Sequence, residues 1–111
     1  EVTVTGETRV SELKEGMITT YNINPVDLFG ETLGGEELRG SDASTNAQIT
    51  KDALSGKNGA CRKIVLLNAA LAIVAGEKAK TVQEGIALAK GCIDSGAAIK
   101  KLQALIEMSN S

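Results

Sequence analysis

NGACRKIVLLNAALAIVAG, residues Asn58 to Gly76, sets the terms for this 111-residue chain. From Ile64 to Ala75 every residue but Asn68 is apolar. No polar stripe remains at helical spacing, so a helix here needs cover on nearly all sides. The run is too short for a membrane span, which takes about 20 apolar residues. It reads as a buried core helix. A buried asparagine must find hydrogen-bond partners, so Asn68 is expected to tie this helix to a neighbouring backbone rather than to touch a substrate.

Ahead of the apolar run stand Cys61, Arg62 and Lys63. A helix N-terminus beside two cations could lower the pKa of Cys61 and make it reactive. A partly buried structural cysteine is the preferred reading. Arg62 and Lys63 could present an anion site at that N-terminus. A solvated polar first turn is the simpler account.

Downstream, Thr81-Val82-Gln83-Glu84 is a capping box, threonine at the cap and glutamate three residues on. The helix it starts places Val82, Ile86, Ala89 and Ile93 on one face, with Cys92 beside them. Asp94-Ser95-Gly96 interrupts it. A last helix carries Ala98, Leu102, Leu105 and Ile106 on one stripe, and Met108 to Ser111 is a frayed polar end.

Upstream, Ser41 or Asp42 caps a helix that ends at Ser55-Gly56. Before it, Glu31 to Gly40 is a connector. Gly34-Gly35 lacks the spacing of a phosphate-binding loop and reads as a plain turn. Glu36 to Arg39 makes one turn that docks Leu38. Pro25 opens a single helical turn through Phe29, closed by Gly30. Met17 to Ile23 is rich in β-formers, and a hairpin is expected around Glu15-Gly16. Val2 and Val4 alternate with Thr3 and Thr5, the period of a half-buried strand.

The fold class is therefore α/β: a short strand and hairpin region (1–23), a connector (24–40), and a part with about four α-helices (41–111). The amphipathic helices cover only part of the central one. This piece is shaped against something else, either another domain or a missing sheet.

Composition excludes several function classes. Acidic and basic residues are interspersed at a net charge of −2, with no histidine. That gives neither a nucleic-acid footprint nor a polybasic membrane patch. Without histidine, the usual Cys–His and Ser–His nucleophilic pairs are absent. Cys61 and Cys92 lie too far apart for a zinc motif and read as two buried free thiols in a reducing cytoplasm. Asp42, Asp52, Glu36 and Glu37 read as caps and surface charges. The chain begins Glu1-Val2-Thr3-Val4-Thr5 with no initiator methionine or signal peptide, like an excised piece.

Ser41-Asp42-Ala43 with Asn46-Ala47-Gln48-Ile49-Thr50 and Leu54-Ser55-Gly56 resembles the G-D-A-x-x-N-A-x-I-T…L-x-G run of anthranilate phosphoribosyltransferases. Gly59 to Ala70 (GACRKIVLLNAA) resembles their G-A-x-R-D-I-V-L-L-N-A-A signature. VTVTGETRV at Val2 to Val10 and Asn24-Pro25…Asp27-Leu28-Phe29-Gly30 are similar to the family's strand, hairpin and D-P-x-D-x-G segment. The helices from Glu84-Gly85 to Lys101-Leu102 are similar as well. The likeness covers essentially the whole chain. Ser41 replaces a glycine, and Lys63 replaces an acid, so any ion pair that acid makes is not expected.

The resemblance implies the C-terminal part of a larger α/β domain in a cytoplasmic, homodimeric, Mg²⁺-dependent enzyme of tryptophan biosynthesis. Its substrates would be anthranilate and phosphoribosyl pyrophosphate. The diphosphate loop and anthranilate-binding residues lie upstream, so this piece alone is expected to be inactive. The family's Asp-Glu pair that binds Mg²⁺ leaves one member here, Glu1. Glu1 is expected to be a metal ligand in the whole enzyme but not in the piece, where an α-ammonium beside its carboxylate would oppose the cation. No catalytic or substrate-binding residue is assigned. Two other readings stand beside this one: a non-catalytic helical scaffold or oligomerisation module, and a nucleoside phosphorylase-type transferase.

Overall fold

A computed structural model describes residues 1–111 as a two-stranded antiparallel hairpin followed by a short helix and four longer ones. The hairpin pairs β1 (Thr8–Lys14) with β2 (Met17–Ile23) across the two-residue turn Glu15-Gly16. Both turn residues have positive φ, 51° and 77°. Paired positive φ values twist a turn in the same sense as the flanking strands, which is why glycine sits there.

Cross-strand partners share a face. Val10 lies opposite Tyr21 and Thr8 opposite Ile23, and this face turns to the core. The other face carries the Ser11–Thr20 hydroxyl pair at 3.1 Å and, near the tip, Leu13 opposite Ile18. Leu13 and Ile18 are both exposed.

The segment before β1 departs from expectation. Val2 to Thr5 joins no ladder, because no third strand lies within this chain to pair with it. Val2 and Val4 are nevertheless buried, and Val4 accepts a hydrogen bond from the Leu33 amide at 3.0 Å. The alternation correctly located inward side chains, but a strand also needs a neighbour.

After β2, α1 (Pro25–Phe29) is capped by the Asn24 side chain and closed by Gly30 at φ 77°. Gly34 and Gly35 enter the 3₁₀ turn Gly35–Leu38, which brings Leu38 against the core. Helix α2 (Ala43–Leu54) starts at Asp42, whose carboxylate accepts the Thr45 amide at 2.7 Å. That bond holds the Asp42 carboxyl below the ordinary carboxylate range. Asp52 is lowered too, chiefly by the Gln48 amide and then by Lys57.

Helix α3 (Ala60–Ala75) is the middle of the molecule. Leu67 meets Val2, Val4 and Ile23 on one side, while Leu66 meets Ala89 and Ile93 on another. Helix α4 (Val82–Asp94) lies against α3 at Gly85, where an added Cβ would stand 2.7 Å from the Ala70 carbonyl oxygen. Such close approach needs glycine. The α4 start is a modified capping box: Thr81 Oγ1 accepts the Glu84 amide at 3.1 Å, but Glu84 reaches back to the Lys80 amide at 2.9 Å. Gly96, at φ 83°, separates α4 from α5 (Ala97–Ser109).

Cover for α3 is incomplete. Only Ala60, Arg62, Leu66, Leu67 and Ala70 of its residues are buried, and Ala72 and Ala75 are exposed. The α5 stripe is covered only at its start, where Ala98 packs against the Leu66 cluster: Leu105 and Ile106 are exposed, and α5 buries no residue. Met108 continues α5 rather than fraying. The radius of gyration is 15.1 Å. A compact domain of about 100 residues has roughly 13 Å. The molecule is open where its apolar faces lack neighbours.

Candidate functional site

Asn68 lies one residue past Leu67 on α3, so it sits at the seam where the N-terminal segment crosses the helix. Its Oδ1 accepts the Val2 amide at 3.1 Å, and its Nδ2 donates to the Val2 carbonyl at 2.9 Å. Nδ2 also donates to the Ile64 carbonyl at 3.0 Å, one turn back on α3. One side-chain amide thus pairs with both polar groups of one residue, as a neighbouring strand would. The expected tie from Asn68 to a neighbouring backbone is present, and its partner is the residue after Glu1.

Glu1 itself is exposed at the start of this fastened segment. No group of three His, Cys, Asp or Glu side chains gathers around it or anywhere else in the chain. Glu1 therefore brings a single carboxylate.

The first turn of α3 is not the solvated turn expected. Arg62 is buried, with Nη2 2.8 Å from Asp94 Oδ1 at the end of α4. Its Nη1 is buried without a partner. The Arg62 guanidinium ends beside the turn after α2, where Gly56 has a φ of 98°. The bond joins the start of α3 to the end of α4, which makes Arg62 a structural brace and unavailable to an external anion. Lys63 turns the other way and pairs with Glu31 in the connector. A cation in place of the family's acid has found a carboxylate of its own.

Of the cysteines, Cys61 is partly buried as its preferred reading expected, while Cys92 departs from the expected burial. Cys92 is exposed on the outer side of α4, and Cys61 is half-buried, with Sγ 3.6 Å from the Glu37 carbonyl. Both are free thiols. Helical spacing placed Cys92 beside the apolar face, but no element covers that flank.

Two clefts border the hairpin. One, of about 320 Å³, lies between β2, α1 and the start of α4, with Tyr21, Asp27, Lys80 and Thr81 at its rim. Burial, and then the nearby Glu12 carboxylate, push the Tyr21 hydroxyl above its ordinary pKa. The other, of about 580 Å³, is a seam between the core face of the hairpin and Leu71, Val74 and Ala75 of α3. Neither contains a nucleophile paired with a base. Chemically, the chain offers one exposed carboxylate on a fastened segment and a scaffold behind it.

Comparison with known proteins adds the context. The model of a family described as "Glycosyl transferase family, a/b domain" matches residues 1–99. An anthranilate phosphoribosyltransferase of Citrifermentans bemidjiense is 49% identical over 99% of this chain and 31% of its own length. Another, from Desulfosudis oleivorans, is 46% identical over 100% of this chain and 33% of its own. Among solved structures, the anthranilate phosphoribosyltransferase of Thermus thermophilus superposes with a TM-score of 0.86 at 28% identity. It is covered for 33% of its length and this chain for 100%. The chain spans about a third of the length of the curated relatives it matches.

Proposed function

The chain belongs to the glycosyl transferase family through its a/b domain, and from that premise we propose that it is the C-terminal third of an anthranilate phosphoribosyltransferase. The whole enzyme would move the phosphoribosyl group of phosphoribosyl pyrophosphate onto the amino group of anthranilate, releasing pyrophosphate, in tryptophan biosynthesis. The observation that carries this reading is the 49% identity to a relative of that name along 99% of the chain. The uncovered sides of α3 and α5 agree with it, because a larger domain would supply their missing neighbours.

Within that enzyme the chain's part is chiefly architectural. It holds Glu1 on a fixed segment and packs α3 as an interior helix. The donor chemistry at Glu1 fits Mg²⁺, which is commonly held by one or two carboxylates together with substrate phosphates and water. Bound there, Mg²⁺ would offset the negative charge that builds on departing pyrophosphate. With one carboxylate from these residues, the remaining ligands come from outside them. The same reading carries a homodimeric whole enzyme in the cytoplasm.

A chimera tests the proposal. The matching third of the Citrifermentans bemidjiense enzyme is replaced by this chain, and loss of anthranilate fluorescence is followed with phosphoribosyl pyrophosphate and Mg²⁺ present. The chimera is expected to turn over, and the isolated 111-residue chain is not. A folded but inactive chimera, or turnover by the isolated chain, refutes the reading.

A further inference from the structure

We propose that Asn68 is a positioning residue for Glu1. The inference rests on the reading that the Glu1 carboxylate acts in the assembled enzyme, and the geometry behind it is independent of that reading.

The peptide unit between Glu1 and Val2 is planar, and it carries the Val2 N–H. A hydrogen bond to that N–H therefore restrains the plane from which the Glu1 Cα departs. Asn68 Oδ1 makes that bond, and Asn68 Nδ2 holds the carbonyl on the far side of the same residue. The bond from Nδ2 to the Ile64 carbonyl fixes the amide against its own helix, so it cannot rotate freely. On either side of Asn68, Leu67 and Val2 bury their side chains in one cluster, which closes the seam. Glu1, by contrast, is exposed and its carboxylate makes no ion pair within the molecule. The carboxylate is placed by what holds its backbone, and Asn68 is what holds it.

A side-chain amide suits this task. Its carbonyl accepts while its amide donates. Alanine does neither, and ionised aspartate only accepts, leaving the Val2 and Ile64 carbonyls facing a negative charge. Protonated aspartic acid accepts and donates once, restoring the pair of bonds to Val2. Asn68→Asp therefore breaks the clamp wherever its carboxyl is ionised.

Amide hydrogen exchange on the 111-residue chain is the direct test, and it needs neither substrate nor metal. In Asn68→Ala the Val2 amide is expected to lose protection by roughly tenfold, the effect of about 1.4 kcal/mol. The Gly85 and Ala89 amides of α4 are expected to stay near wild type. In Asn68→Asp near neutral pH, where the carboxylate is ionised and only accepts, Val2 protection is expected to fall as well. In the chimera, Asn68→Ala should raise the Mg²⁺ concentration for half-maximal rate by roughly tenfold, with the anthranilate KM little changed. Unchanged Val2 protection, uniform loss across α4, or equal shifts in both kinetic constants overturns the proposal. An inactive chimera with Asn68 intact counts against the enzymatic reading instead, and the exchange result still decides the clamp.

Discussion

Gly85 and Gly91 lie six residues apart on α4, and the same substitution at each should act in opposite directions. An ideal Cβ on Gly85 falls 2.7 Å from the Ala70 carbonyl oxygen, 2.9 Å from its Cα and 3.0 Å from its Cβ. Two of these three atoms are backbone of α3, which cannot move aside by changing rotamer. Overpacking of this kind costs about 1–3 kcal/mol, and a backbone obstacle belongs at the upper end. Alanine recovers about 1 kcal/mol of helix propensity over glycine. Gly85→Ala should therefore destabilise the chain by about 2 kcal/mol. Gly91 has nothing within 4 Å of its ideal Cβ. There only the propensity gain acts, and Gly91→Ala should stabilise by about 1 kcal/mol. For a chain of this size the two variants should melt roughly 10 °C below and about 5 °C above wild type. Thermal and urea melts followed by circular dichroism provide the assay. Two variants shifting in the same direction, or Gly85→Ala at or above wild type, would refute the close α3–α4 contact.

Three further outcomes are expected. Asp94→Ala strands the buried Arg62 guanidinium and should cost about 1–3 kcal/mol. Asp52→Ala, which removes the surface pair with Lys57, should cost clearly less, because an exposed pair is screened by solvent; equal losses in urea titrations contradict the distinction. Asp42 has a folded pKa below its unfolded value, so its share of stability is present above the ordinary carboxylate range and lost as pH falls through the folded value. The melting-temperature advantage of wild type over Asp42→Asn should shrink from about pH 6 to about pH 2, and a widening gap speaks against the cap. Timed alkylation read by mass spectrometry should modify exposed Cys92 before half-buried Cys61; the reverse order would place Cys61 in a more open or more reactive setting than described.

What the sequence made legible was local chemistry. The Glu15-Gly16 turn, the Pro25 and Gly30 bounds of α1, and the caps at Asp42 and Thr81 each follow from residues within a few positions of one another. Pairings across distance were not legible. Arg62 looked like part of a solvated turn because its partner Asp94 is 32 residues away. Its one signal was a lone arginine entering an apolar helix. Asn68 announced a need for partners but not their identity, since Val2 lies 66 residues upstream. Periodicity named the inward residues of the N-terminal segment and of α5, yet said nothing of the cover they would find. Val2 and Val4 gained helix cover without a strand, and the α5 stripe gained cover only at its start, leaving Leu105 and Ile106 exposed. Glu1 could be singled out only through a family resemblance, because a terminal carboxylate carries no pattern of its own.

The bond between Val2 and Asn68 also orders events in time. A ribosome adds about 5–20 residues per second. The 66 residues between the two partners therefore separate their emergence by roughly 3–13 s. From the emergence of Ile23 onward the hairpin can close on itself, since its strands meet across two residues. Val2 and Val4, by contrast, remain apolar side chains without the Leu67 they pack against. The segment carrying Glu1 is made before α3 and fastened only after it, which makes the synthesis of α3, rather than that of the segment itself, the step that ends its exposure to aggregation and to proteases.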